Sequence, residues 1–295
     1  MNVTAIGIGL GAAFFLAVGF VVQQHAASEE PPEERLSFRL LLHLVRRPVW
    51  LAGIGAMVVG QLLGAAALSQ GSLALVEPVL ATNLLFALPL SAVWRRRHLG
   101  AREWAGAVSL LAGLTAFVAA GDPYGGHTTR LPWPNWVLAG GSIAAVAALL
   151  VLLGRRVEGA KQATLWAAAA GTLYGLQDAL TQRTIAAFGS GVAAAIVDWP
   201  VFTLFFVAVI GLLIGQSAFE AAPLAASLPA ITVAEPVTGI AFGVGVFDEH
   251  LALGWPYLLV ELAGLAAMVV GVLFVARSPL VTGADREEER VEDAA

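Results

Sequence analysis

Nine stretches of this chain stay apolar for about twenty residues at a time, the length an α-helix needs to cross the roughly 30 Å hydrocarbon core of a bilayer. They are Val3 to Gln23, Val49 to Ser69, Leu73 to Trp94, Trp104 to Ala120, Trp136 to Leu153, Ala163 to Thr184, Val192 to Ile214, Phe219 to Phe247 and Trp255 to Ala276. Lipid offers a backbone amide no water, so each stretch must satisfy its own hydrogen bonds as a helix. The expected fold class is all-α: a polytopic membrane protein of about nine transmembrane helices. With 58% of the 295 residues hydrophobic and 13% charged, the chain carries about half the charge of an average soluble domain. Its net charge of −5 lies mostly outside the apolar stretches and argues against a nucleic-acid partner. Cysteine is absent, which excludes disulfides, thiolate metal sites and cysteine nucleophiles.

The cations set the orientation. With the N-terminus outside, the cytoplasmic segments carry Arg35, Arg39, Arg46 and Arg47; Arg95, Arg96, Arg97 and Arg102; Arg155, Arg156 and Lys161; and Arg277, Arg286 and Arg290. These are fourteen of the 16 Lys and Arg, against Arg130 and Arg183 on the other side. The asymmetry follows the positive-inside rule and predicts a multi-pass cell-membrane protein, N-terminus outside and C-terminus cytoplasmic. Leu36 to Val45 is too short for a tenth crossing, since ten residues rise only about 15 Å. Ser37 to Arg47 therefore reads as an interfacial or half-inserted amphipathic helix. The first span lacks a basic leader, and His25 stands where a signal peptidase needs a small residue, so it reads as a retained helix. Gln23, Gln24 and His25 close that span at headgroup level. Glu29 to Glu34, with Pro31 and Pro32, is a polar linker, and residues 279–295, acidic from Gly283 onward, form a disordered cytoplasmic tail.

A weak repeat runs through the chain. His98-Leu99 and His250-Leu251 each follow a proline-bearing span, with Pro78 20 positions before the first and Pro229 21 before the second. Each pair precedes a span containing Leu-Ala-Gly, at Leu111 to Gly113 and Leu262 to Gly264. Under the nine-span topology the matching segments run in opposite directions. The first repeat covers about 3–120, a linking helix 136–153, and the second repeat 163–276, all within one transmembrane domain, 1–278. Inverted repeats are the architecture of many secondary transporters, whose sites lie where discontinuous helices of the two halves meet. Spans three and eight, with Glu77-Pro78 and Pro89 in one and Pro223, Pro229 and Glu235-Pro236 in the other, fit that description.

Acidic side chains inside spans cost about 2.5–3.5 kcal/mol each, so Glu77, Asp178, Asp198, Glu235 and Glu261 are candidates for function. Asp198 and Glu261, near span ends, also suit the headgroup region. Pro78 frees the carbonyl of Ala74 beside Glu77, and Pro236 frees that of Thr232 beside Glu235. Such oxygen donors suit Mg²⁺, Na⁺ or a protonated amine; for Glu77 a kink that only shapes packing is the competing reading. On span six Gly171, Tyr174, Asp178 and Gln182 share a helical face that reads as a cavity lining. Gln61 and Asn83 are further polar groups within spans, read as amides bonded to a neighbouring helix or lining the path. GxxxG pairs at Gly60/Gly64, Gly171/Gly175, Gly211/Gly215 and Gly239/Gly243 allow close helix contact, within one chain or in a homodimer. Neither HExxH nor GxSxG occurs, so an enzyme is not expected, nor is a resident cofactor.

These residues are similar to a known group. Pro48-Val49-Trp50-Leu51-Ala52-Gly53, Gly71-Ser72-Leu73-Ala74-Leu75-Val76-Glu77-Pro78, Asn83-Leu84-Leu85-Phe86-Ala87-Leu88-Pro89 and Ala225-Ala226-Ser227-Leu228-Pro229 through Glu235-Pro236 resemble the drug/metabolite transporter superfamily. Within it the chain resembles the EamA-like and NIPA-type magnesium transporters, over nearly its whole length to Ser278. The resemblance implies an inverted-repeat helical bundle and transport of a small solute or cation by alternating access, with Mg²⁺ or a proton as cargo or coupling ion. Two departures stand out: Arg95-Arg96-Arg97 replaces an acidic end such as Glu249, and Gln61 stands where magnesium-transporting relatives carry a carboxylate. The reading of another class is a non-transporting membrane scaffold that uses the GxxxG faces.

Overall fold

The computed structural model describes residues 3–68, 70, 79–94, 96, 98–121, 133–188, 199–246 and 255–276. They form ten α-helices of seven residues or more: α1 (Val3–Ala27), α2 (Phe38–Leu44), α3 (Pro48–Leu68), α4 (Asn83–Trp94), α5 (Ala101–Gly121), α6 (Trp133–Gly154), α7 (Gly159–Phe188), α8 (Trp199–Ala221), α9 (Leu224–Val246) and α10 (Trp255–Ala276). No strand occurs among the described residues. Among the described residues five segments are long and apolar enough to cross a membrane: Val3–Ala27, Pro48–Ala67, Asn135–Gly154, Trp199–Ala221 and Trp255–Val275. Large apolar side chains such as Leu138, Phe205, Phe206 and Trp255 point away from the protein, an arrangement suited to a lipid solvent rather than water. The longest helix, α7, carries Lys161, Gln162, Asp178 and Arg183 and lies between α6, α8 and α9.

Glycines set how closely the helices approach. On α5, Gly106 and Gly113 face Gly271 and Gly264 of α10, so the pair is antiparallel; a Cβ on Gly113 would stand 2.5 Å from the Gly264 carbonyl oxygen. Gly19 meets Gly53 and Gly60 meets Leu16, making α1 and α3 antiparallel. Phe14 packs edge-on to Phe86 and His25 tilts against Trp94, so α4 runs parallel to α1. In the second half α8 runs antiparallel to α7, with Gly211 and Gly215 against Tyr174, and α9 runs parallel to α7, with Gly171 on Ile231 and Gly175 on Glu235. The core lies where α1, α4, α7, α8 and α9 converge, around Leu16, Phe20, Leu84, Phe219 and Leu228.

Two expectations on the helices need correction. The apolar run after Ile214 continues α8 to Ala221; Phe219 therefore belongs to α8, and Pro223 lies in the turn before α9, where a proline disfavours helical backbone at the residue before it. Span eight is also not discontinuous: α9 runs unbroken through Pro229 and Pro236. Span three is interrupted, with helix at 79–81, a turn at Thr82 and α4 from Asn83. The short helix α2 forms as expected, capped by Ser37, whose Oγ accepts from Arg39 N at 3.3 Å. Leu40 and Leu44 are buried while Phe38 and Leu42 face outward.

The helix directions bring one set of ends together: the last turns of α1, α4, α6, α8 and α10 and the first turns of α3, α5, α7 and α9. Arg35, Arg39, Arg46, Arg47, Arg96, Arg102, Arg155, Arg156 and Lys161 all lie in or beside these turns. Among the described residues only Arg183, near the far end of α7, departs from this basic end.

Candidate functional site

The last two turns of α8 read Gln216-Ser217-Ala218-Phe219-Glu220, and they hold the two halves of the molecule together at the basic end. Gln216 is 1% exposed. Its Oε1 accepts from Trp50 Nε1 at 3.0 Å, its Nε2 donates to Gln23 Oε1 at 2.6 Å, and Gln23 Nε2 in turn faces the Met57 sulfur. Gln24 Nε2 donates to the Phe219 carbonyl at 3.3 Å, and the Leu36 amide donates to Ser217 Oγ at 2.9 Å. Each bond contributes about 0.5–1.5 kcal/mol, and losing one member would leave buried donors unsatisfied at greater cost.

One helical turn further, Glu220 accepts both arms of the Arg35 guanidinium. Glu220 is 4% exposed at its side chain, Arg35 25%. The remaining arm, Arg35 Nη1, donates to Gln162 Oε1 at 3.1 Å. The Gln162 amide caps α6, donating to the carbonyls of Gly154 at 3.2 Å and Val157 at 3.0 Å, groups a helix end otherwise leaves unpaired. Arg35 thus joins the linker after α1 to α7 and α8. The adjacent Leu36 adopts a left-handed backbone, φ 55°, a conformation that costs about 1–3 kcal/mol and persists only where its surroundings over-determine it. Here Arg35 is held by Glu220, Leu36 N by Ser217, and Ser37 by its cap on α2. Against α1 and α4 the same end opens into a cleft of about 290 Å³ lined by Val21, Gln24, His25, Ser28, Ser91 and Trp94.

A second polar locus lies at mid-depth. Glu235 is eleven residues into α9 and Asn83 eleven residues before the end of α4, so both sit about 16 Å from the basic end. The two helices touch. Asn83 Oδ1 is buried with no hydrogen-bond partner. Glu235 is half-buried and acts electrostatically on Tyr174. The Tyr174 ring rests on Gly211, and its hydroxyl donates to the Gly211 carbonyl at 3.3 Å. Gly175 lets the Glu235 backbone close in: a Cβ there would stand 2.5 Å from the Glu235 carbonyl oxygen. Asp178, one turn beyond Tyr174, is exposed. An amide oxygen, a carboxylate and a phenol at one level can accept a cation, a protonated amine or a proton.

Several expectations change or fall elsewhere. Gln23 and Gln24 do not face outward at the end of α1: both are buried, because α8 returns Gln216 and Phe219 to meet them. Gln61 bonds no neighbouring helix and lies on the exposed face of α3. On the α7 stripe Gly171 and Tyr174 are packing residues as well as polar ones, contacting α9 and α8. Glu261 Oε1, on α10, is buried without a hydrogen-bond partner. Glu77, Pro78, Asp198, His250, residues 279–295 and the Gln182 side chain lie outside the described residues. The junction around Glu220 went unread in the sequence. Its signal was three polar residues at i, i+1 and i+4, Gln216, Ser217 and Glu220, closing an otherwise apolar helix.

The chain is 29% identical over 281 residues to an uncharacterized protein of Corynebacterium glutamicum, the match covering 94% of this chain and 96% of that one. No family model matches the chain. No solved structure matches it either.

Proposed function

We propose that this chain is a secondary transporter of the cell membrane, moving a small solute or cation by alternating access between inverted halves, in the manner of the drug/metabolite transporter superfamily it resembles. In this reading nine spans cross the bilayer, the N-terminus is outside and the basic end faces the cytoplasm. The helix pairing carries the reading. In the first half α1 has an antiparallel partner, α3, and a parallel one, α4; in the second α7 has the same relations to α8 and α9, with α1 and α7 pointing opposite ways. The repeat-related glycines Gly113 and Gly264 touch each other, as equivalent residues do where a two-fold axis passes. Glu235, Tyr174 and Asn83 then line the substrate path at mid-depth, where transporters of this architecture bind cargo, while the Arg35–Glu220–Gln162 junction closes the cytoplasmic side.

The scaffold reading is weaker because three of the four GxxxG faces are used internally: Gly171 and Gly175 on α9, Gly211 and Gly215 on Tyr174, Gly60 on α1. The test is flux in proteoliposomes across a panel of divalent and monovalent cations, amines and metabolites, Mg²⁺ among them, with proton movement followed in parallel. Wild-type protein should move at least one member of the panel, and Glu235→Gln should abolish that flux while folding normally. Wild-type flux in Glu235→Gln removes Glu235 from the mechanism, and a panel without any protein-dependent flux counts against transport.

A further inference from the structure

The linker between α1 and α3 carries charges that its own contacts leave unbalanced. Of its four arginines, Arg35 is committed to Glu220, and Arg39 and Arg46 are exposed. Glu29, Glu30 and Glu34 are left with Arg47, which reaches Glu29 and Glu30, and with His43. Three carboxylates therefore share one guanidinium and one imidazole. Glu30 is buried, its side chain 4% exposed. Its Oε1 lies 2.5 Å from Arg47 Nε yet off the line a hydrogen bond needs. Glu34 Oε2 is buried and 2.9 Å from His43 Nδ1, again without hydrogen-bond alignment. One oxygen of each carboxylate, Glu30 Oε2 at 3.5 Å and Glu34 Oε2 at 2.9 Å, faces the same ring nitrogen of His43.

One oxygen each from Glu30 and Glu34 and a ring nitrogen of His43 lie within 4.8 Å of one another. Ligand atoms about 2.0–2.2 Å from one ion stand roughly 3–4 Å apart, so small side-chain adjustments would close the set. The scaffold beneath them is firm. Glu34 ends the 3₁₀ turn Pro32–Glu34, and His43 rides on α2, whose Leu40 and Leu44 are buried and fix its rotation.

We propose that Glu30, Glu34 and His43 form a divalent-metal site with two carboxylates and one imidazole. An imidazole nitrogen favours a first-row transition ion such as Zn²⁺ or Mn²⁺ over Mg²⁺ and Ca²⁺, which prefer oxygen alone. A bound ion offsets the surplus negative charge and stiffens the segment that delivers Arg35 to Glu220. The site is separate from the mid-depth residues and does not depend on transport.

The experiment is isothermal titration of the purified full-length protein in detergent with Zn²⁺ and with Mn²⁺, Mg²⁺ serving as competitor, plus the electron paramagnetic resonance spectrum of the Mn²⁺ form. One ion should bind per chain, Zn²⁺ more tightly than Mn²⁺, with Mg²⁺ failing to displace it and a nitrogen coupling visible in the spectrum. His43→Ala and Glu34→Gln, both at partly solvated positions, should each weaken Zn²⁺ binding by more than about tenfold, with helical content by circular dichroism unchanged. His25→Ala, which touches only Glu29 of this cluster, should leave binding intact. The proposal is overturned by the lack of saturable binding, by wild-type affinity in His43→Ala and Glu34→Gln, or by binding that depends on His25 instead.

Discussion

Gly113→Ala, at the crossing of α5 and α10, isolates a backbone approach as close as any glycine makes among the described residues. The new methyl group would stand 2.5 Å from the Gly264 carbonyl oxygen and 2.8 Å from the Met268 nitrogen, both backbone atoms that cannot turn aside. Carbon and oxygen settle near 3.5 Å, so the two helices must part by about 1 Å, which forfeits about a quarter to a half of the dispersion well at each stretched contact. Leu110, Leu114 and Met268, all fully buried, line that seam. Overpacking of this kind costs about 1–3 kcal/mol. Alanine returns about 0.8–1.0 kcal/mol in helix propensity, leaving a net loss of up to about 2 kcal/mol. The paired control is Gly140→Ala on α6, where a Cβ meets nothing within 4 Å and only the propensity gain of about 1 kcal/mol applies. Thermal unfolding in detergent should therefore move in opposite directions, with Gly113→Ala melting up to about 6 °C lower than wild type and Gly140→Ala slightly higher. Equal shifts of the same sign in both variants would refute the claimed contact.

Removing Arg35 should strand a buried carboxylate: Arg35→Met is expected to cost about 3 kcal/mol. A double-mutant cycle with Glu220→Gln by chemical denaturation should give a coupling of about 1–3 kcal/mol; additive effects would show that the two groups do not act as a pair. At α8, Gly215→Ala places a methyl group 2.6 Å from the Tyr174 hydroxyl oxygen, an overpacking expected to cost about 1–3 kcal/mol. Tyr174→Phe alone should cost about 0.5–1.5 kcal/mol for the lost bond to Gly211. In the Tyr174→Phe background Gly215→Ala should become nearly neutral, and undiminished destabilisation there would disprove the contact.

The helices were legible because composition alone demands them; what hydropathy hid was where one stops. The run from Val192 onward stays apolar past Ile214, so the turn at Pro223 was masked and Phe219 went to the wrong helix. Burial of Gln23 and Gln24 was illegible for a different reason: an amide at a helix end is cheap at an interface, and only the return of α8 to the same end supplies its partners. Glycine spacing was partly informative. Gly171/Gly175 does seat a helix, but Gly211/Gly215 seats a tyrosine ring, and an equally close seam uses a seven-residue spacing, Gly106/Gly113 against Gly264/Gly271, that is not a GxxxG pattern. Glu235 stood out by the cost of a carboxylate in a span, whereas Glu220 and Arg35, one in a helix end and one in a linker, looked like ordinary interfacial charges until the fold paired them.

Alternating access can be tested without knowing the cargo, because the chain has no cysteine of its own. Spin-label pairs at Arg46→Cys and Lys161→Cys report on the basic end, and pairs at Val3→Cys and Phe202→Cys on the opposite end; all four positions are exposed. Electron–electron distance measurements should show the basic end closed in the wild type. On adding Glu220→Gln, which breaks the junction, the proposed rocking of one half against the other requires a longer distance there together with a shorter one at the far end. A change confined to the basic end, or no change at either, would contradict the rocking of two inverted halves.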